Sequence, residues 1–158
     1  MAHLYLFDTN TFRVLGGYYP ETFGSFWEHI DEAVSRGLIA SVREVKKEMD
    51  NQDTSEHVMT WAGANVELFA SPTEDDMHAV AEILAVPHFS QLIGEKQRLK
   101  GMPVADPFLI ARGKMESACV VTEEKLKANA AKVPNVCQHF GVECTNLQGF
   151  LQQQGWRF

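Results

Sequence analysis

The stretch "HLYLFDTNTF" (residues 3–12) runs four largely apolar residues directly into an aspartate, a threonine and an asparagine. A short apolar run with aromatic content predicts a buried strand over residues 4–7. A carboxylate directly after such a strand should project over the edge of a sheet. Whether Asp8 belongs to a functional site therefore depends on which residues come directly after the other strands of the chain.

Composition favours one globular domain, which we expect to span residues 1–158. Hydrophobic residues make up 45% of the chain and charged residues 22%, as is ordinary for such a domain. The net charge of -7 argues against a passive nucleic-acid binder and is compatible with an enzyme that holds metal through carboxylates. No apolar stretch approaches the roughly 20 residues of a membrane span, so we expect no membrane association.

The cysteines indicate a reducing compartment. Three cysteines without a CxxC pair, and with no cationic and apolar leader, favour reduced thiols in the cytoplasm. No cysteine–histidine spacing is typical of a zinc site, and the six histidines are scattered.

Short apolar segments alternate with helical patterns along the chain. Strands are predicted at 4–7, 38–41, 66–69, 118–121 and 142–145, and helical segments lie between them, including "VREVKKEMD" (42–50) and "EKLKANAAK" (124–132). This alternation predicts an α/β fold, a three-layer α/β/α sandwich with a mostly parallel central sheet.

Ligands of such sheets collect at the carboxyl ends of the strands. Asp8 comes directly after the first strand, and Glu123 and Glu124 come after "CVVT". Glu44 and Glu48 lie one turn apart on the helix that leaves the second strand, and Asp106 lies in the first turn of a later helix. Four separate segments therefore bring carboxylates to one edge.

Several carboxylates placed together repel one another unless cations bind between them. Oxygen ligands without histidine or thiolate suit Mg²⁺ or Mn²⁺. Such ions activate water and stabilise charge on phosphorus, so the predicted reaction is phosphodiester hydrolysis.

The motifs "LYLFDTNTF", "SVREVKKEM", "VADPFLIARG" and "VVTEEK" resemble, in order and spacing, those of the PIN-domain nucleases. Asp8, Glu48 and Asp106 match the first three acidic positions of that family, Thr122 matches its threonine, and Glu124 stands where the fourth acid is usually aspartate. The resemblance implies a PIN-like fold and a Mg²⁺- or Mn²⁺-dependent endoribonuclease. It further implies the toxin of a type II toxin–antitoxin pair (VapC-like), with an RNA substrate, a cognate antitoxin and a possible homodimer.

Several assignments stay open at this point. Glu44 competes with Glu48 as a ligand, and Glu123 competes with Glu124. Thr9, Asn10 and Thr122 are candidates for support of the carboxylates through hydrogen bonds. The basic segment 94–101 and Arg112 are candidates for contact with an RNA backbone.

Two other functions compete with the nuclease. A PIN-like scaffold would bind RNA or protein without cleaving, an interpretation that the glutamate at the fourth position favours. A phosphatase of the haloacid-dehalogenase type also begins with a strand and an aspartate, but its chemistry needs an acid two residues later, where this chain has Asn10. For each carboxylate the simpler alternative is a helix cap or an exposed helix face.

Overall fold

The computed structural model describes residues 3–51, 53–92 and 104–158. A parallel five-stranded sheet, in the order β3-β2-β1-β4-β5, consists of β1 (Tyr5–Phe7), β2 (Ile39–Val42), β3 (Phe69–Ala70), β4 (Cys119–Val121) and β5 (Glu143–Thr145). The α-helices of the described ranges are α1 (Thr9–Val14), α2 (Gly24–Ser35), α3 (Arg43–Asn51), α4 (Glu56–Ala64), α5 (Glu74–Ala85), α6 (Asp106–Glu116), α7 (Val133–Phe140) and α8 (Leu147–Gln154). The predicted three-layer α/β/α sandwich is confirmed.

The two faces of the sheet are covered by different helices. Tyr5 and Phe7 point to one face, where both rings meet Phe150 of α8 edge to face at 4.8 and 5.1 Å. The opposite face packs closely against α6, since a Cβ on Gly113 would lie 3.0 Å from a methyl group of Val120. Burial on both faces explains why the strands read as continuous apolar runs.

Strand register determines which residues lie at the carboxyl edge. Phe7 pairs with Val121, and Val121 pairs with Thr145, so β1, β4 and β5 end side by side. The backbone N–H of Asp8 continues the ladder by donating to the carbonyl of Val121 at 2.9 Å. Residues directly after β1 and β4 therefore emerge next to each other.

The predicted helix over 124–132 is wrong, because this segment is irregular. Side chains satisfy its backbone instead: the Asn135 amide donates to the carbonyl of Lys127 at 2.7 Å and accepts from its N–H at 3.4 Å. Such local bonds compete with helical ones. The predicted strand 66–69 is shorter than expected, since a 3-10 turn over Val66–Leu68 precedes the two residues of β3.

Within the described ranges, no helix is both long enough and apolar enough to cross a membrane.

Candidate metal centre

Asp8 lies at the junction of β1 and α1. It is the N-cap of α1, where its Oδ1 accepts from the N–H of Thr9 at 2.7 Å. Its Oδ2 accepts from the hydroxyl of Thr122, beyond the end of β4, at 2.9 Å. The carboxylate is only 2% exposed. Asp8 therefore acts as a helix cap and is also held against a second strand end.

Glu48 reaches the same junction from α3. Its Oε1 accepts from the hydroxyl of Thr9 at 2.6 Å, and its Oε2 accepts from the backbone N–H of Ala105, just before α6, at 3.0 Å. Both carboxylate oxygens are thus held in place, and the side chain is buried. Thr9 links the two carboxylates, because its N–H donates to Asp8 and its hydroxyl donates to Glu48.

Glu44 does not join the carboxylate cluster, the name used here for Asp8, Glu48, Asp106 and Glu124. Its Oε2 pairs with the guanidinium of Arg43 at 2.8 and 2.9 Å. Its other oxygen, Oε1, is buried and accepts no hydrogen bond from the described residues. Glu48, and not Glu44, is among the charges that act on Asp8 and Asp106.

Asp106 opens α6 and faces the cluster with a free carboxylate. No group in the described part of the chain donates a hydrogen bond to it. Burial raises the pKa of Asp106 well above its usual range, and the charges of Asp8, Glu124 and Glu48 raise that pKa further. Lys132 is the cation that opposes this effect.

The two glutamates after β4 hold different helices. The Oε2 of Glu124 accepts from the N–H of Val133 at the start of α7, at 2.8 Å. The Oε1 of Glu123 accepts from the N–H of Leu147 at the start of α8, at 2.9 Å. Glu124 is among the charges that raise the pKa of Asp8, whereas Glu123 is not. The structure thus brings Glu124 closer to the carboxylate cluster.

Asn10 and Thr122 organise the loop after β4. The Oδ1 of Asn10 accepts from the N–H of Glu123 at 2.9 Å. The hydroxyl of Thr122 donates to Asp8 and accepts from the N–H of Glu124 at 3.2 Å. These two side chains therefore place Glu124 relative to Asp8 through the backbone.

The cluster is electrostatically strained at neutral pH. Burial raises the pKa of Asp8 from 3.8 to about 7, and Glu124 and Glu48 add to this rise, while the hydrogen bonds from Thr122 and Thr9 oppose it. A cation between these groups would relieve the strain.

The donor set fits a hard divalent ion, because every candidate ligand is a carboxylate oxygen. No three of these described carboxylates bring oxygens within 4.8 Å of one another. This spacing suits hydrated Mg²⁺, which keeps several water ligands and binds one or two carboxylates directly, better than a cage made of protein ligands alone.

The two candidates for contact with an RNA backbone stay predictions. Arg112 is occupied by ion pairs to Asp76 at 3.1 Å and to Glu116 at 3.3 Å. The basic segment 94–101 lies outside the described residues. Sequence reasoning missed the roles of the Ala105 N–H and of Lys132. A backbone N–H is not distinguished by residue type, and Lys132 reaches the site only through the fold of the chain.

The family comparison covers almost the whole chain. A family model described as "Domain of unknown function (DUF4411)" matches residues 5–158. The chain belongs to this family. None of the curated proteins matches the sequence of this DUF4411 protein.

A solved structure resembles the fold of the DUF4411 chain. It is a crystal structure of VapBC2 from Rickettsia felis bound to a DNA fragment from their promoter. One of its chains aligns with a TM-score of 0.50 and 12% identity, covering 90% of this chain and 98% of that chain. This similarity supports a PIN-like fold.

Proposed function

We propose that this DUF4411 protein is a Mg²⁺- or Mn²⁺-dependent endoribonuclease whose metal is held by Asp8, Glu48, Asp106 and Glu124. The observation that carries the proposal is the convergence of carboxylates from four chain segments. Burial first, and then the charges of these neighbours, raise the pKa of Asp8 and Asp106. Perturbed carboxylates that converge in this way are typical of functional sites.

The residues of the chain have separate tasks in this proposal. Thr9 and Thr122 hold Asp8 and Glu48 in fixed orientations, at donor–acceptor distances of 2.6–2.9 Å. Asp106 keeps its carboxylate free to bind a cation. A bound divalent ion would supply an activated water and stabilise the charge that develops on phosphorus.

Protons and metal compete for the same oxygens. Because the pKa of Asp8 is raised to about 7, the carboxylate is partly protonated at neutral pH. Metal binding displaces that proton, so we expect metal affinity to increase as the pH rises through this range.

The proposal extends to biology through the resemblance to PIN-domain toxins and the fold similarity to VapBC2. In this view the protein is the toxin of a type II toxin–antitoxin pair in the cytoplasm, and a cognate antitoxin controls it. A homodimer belongs to the same proposal.

A non-catalytic scaffold is the second candidate. One observation favours it: an oxygen of Glu124 is engaged at 2.8 Å by the N–H of Val133, so the fourth acid doubles as a helix cap. The phosphatase alternative is disfavoured, because its chemistry needs an acid two residues after Asp8 and this chain has Asn10 there. The side chain of Asn10 instead accepts a hydrogen bond from the backbone N–H of Glu123.

Cleavage of a mixed-sequence RNA, with Mn²⁺ or with a chelator, tests the proposal. We expect manganese-dependent cleavage by the wild type, complete loss in Asp106→Asn, and retention in the matched control Glu44→Gln, whose carboxylate lies outside the cluster. Cleavage that survives both the chelator and Asp106→Asn would overturn the proposal. A folded wild type that binds RNA without cutting it would favour the scaffold.

A further inference from the structure

A second group of ligand-type side chains lies at the opposite edge of the sheet. Tyr5 of β1 pairs with Cys119 of β4, and Cys119 pairs with Glu143 of β5, so these residues form one row across three neighbouring strands. His3 lies two residues before Tyr5 and shares its face, and the two rings meet edge to face at 5.1 Å. The amino ends of three strands thereby bring an imidazole, a thiol and a carboxylate together.

The three ligand atoms already lie close to one another. The Nε2 of His3 is 3.0 Å from the Oε2 of Glu143. These two atoms and the Sγ of Cys119 all lie within 4.8 Å of one another. In a tetrahedral zinc site, metal–ligand bonds of about 2.0–2.3 Å place ligand atoms about 3.3–3.6 Å apart. A movement of about 1 Å therefore suffices to close the group around an ion.

We propose that His3, Cys119 and Glu143 form a second metal site, which takes Zn²⁺ or a similar borderline transition-metal ion. The nitrogen, sulfur and oxygen donors match zinc chemistry and differ in kind from the carboxylate cluster beyond β1. The site lies at the amino edge of the strands and does not depend on the nuclease proposal.

An ion can reach the site from solvent. The side chain of Glu143 is 70% exposed and that of His3 is 37% exposed, whereas Cys119 is buried beneath them. Zinc binds cysteine as the thiolate, so an ion that binds Cys119 would release the thiol proton. Three protein ligands leave the fourth position for water.

The expected consequence is structural. An ion held by these side chains would tie the segment before β1 to β4 and β5. Because such an ion binds the folded chain and not the unfolded one, it should raise the melting temperature.

Titration with Co²⁺ tests the site, because thiolate coordination produces a charge-transfer band in the near ultraviolet. We expect this band in the wild type and its displacement by Zn²⁺. Cys119→Ser should abolish the band, and His3→Ala should weaken Co²⁺ binding at least tenfold. The matched controls are Cys144→Ser, which removes the thiol on the adjacent strand, and Asp106→Asn, which alters the carboxylate cluster; both should keep the band.

His3→Ala keeps the test decisive if the buried Cys119→Ser fails to fold, because His3 is partly exposed. Zn²⁺ should raise the melting temperature of the wild type by more than that of His3→Ala. A wild type without a thiolate band, or a band that persists in folded Cys119→Ser or is unaffected by His3→Ala, would overturn the proposal. Loss of RNA cleavage alone would not, since that result concerns the other edge of the sheet.

Discussion

Replacing Asp8 by asparagine should stabilise the metal-free protein at neutral and alkaline pH. Burial raises the pKa of Asp8 from 3.8 to about 7 in the folded state. Between these values the folded state keeps a proton that the unfolded state has lost, so the contribution of Asp8 to stability falls as the pH rises. At about 1.4 kcal/mol per pH unit, the ionised side chain costs about 4 kcal/mol at pH 8.

Asparagine removes this cost and can keep the local hydrogen bonds. Its carbonyl replaces the oxygen that accepts from Thr9 at 2.7 Å, and its amide can donate to the hydroxyl of Thr122, now 2.9 Å from the other oxygen of Asp8. For a chain of this length, about 4 kcal/mol corresponds to a rise in melting temperature on the order of 10 °C. At pH 5 the gain should shrink below about 2 kcal/mol.

The assay is thermal denaturation by circular dichroism in the presence of a chelator, at pH 5 and pH 8. The matched control is Asp76→Asn, because Asp76 is also 2% exposed but pairs with Arg112 at 3.1 Å. That variant should destabilise the protein at both pH values. A lower melting temperature for Asp8→Asn at pH 8, or an equal gain at the two pH values, would refute the reasoning.

Substitutions at four further residues test individual contacts. Glu124→Gln should weaken Mn²⁺ binding at least tenfold in calorimetry, whereas Glu123→Gln should leave Mn²⁺ binding unchanged. Thermal denaturation should show little loss of stability in Glu123→Gln, because the glutamine oxygen can still accept from the N–H of Leu147. Thr9→Val should lower Mn²⁺ affinity about 10- to 100-fold in calorimetry, and Thr9→Ser should restore it. Gly113→Ala should cost about 1–3 kcal/mol in urea denaturation, because the new methyl group would lie 3.0 Å from a methyl group of Val120; an unchanged midpoint would contradict the close packing.

Local patterns of apolar and polar residues in the sequence predict most of the fold. Short apolar runs between helical segments predicted β1, β2, β4 and β5 to within one residue, whereas the run 66–69 overlaps the two-residue β3 only at Phe69. The helix predicted over 124–132 is wrong, because side chains such as that of Asn135 form hydrogen bonds with the backbone of this segment. Helix propensity, which depends on residue type, does not include such bonds.

Asp8, Glu123 and Glu124 were named from their positions after strands, whereas Glu48 and Asp106 were named from their places on helices. Residue order alone left Glu44 and Glu48 as alternatives. Glu44 and Glu48 lie one turn apart on α3, and only packing decides that Glu48 meets Thr9 at 2.6 Å while Glu44 meets Arg43. The approach of His3 to Cys119 depends on strand pairing, which residue spacing in the sequence does not reveal.

Manganese binding by calorimetry, on the wild type and on Asp106→Asn, tests the central claim most directly. The carboxylate of Asp106 accepts no hydrogen bond from the described residues, so its removal should take away a metal ligand with little effect on the fold. We predict binding by the wild type and by the control Glu44→Gln, and loss of binding at this site in Asp106→Asn. Equal Mn²⁺ affinity in all three folded proteins, or no binding in any of them, would contradict the account.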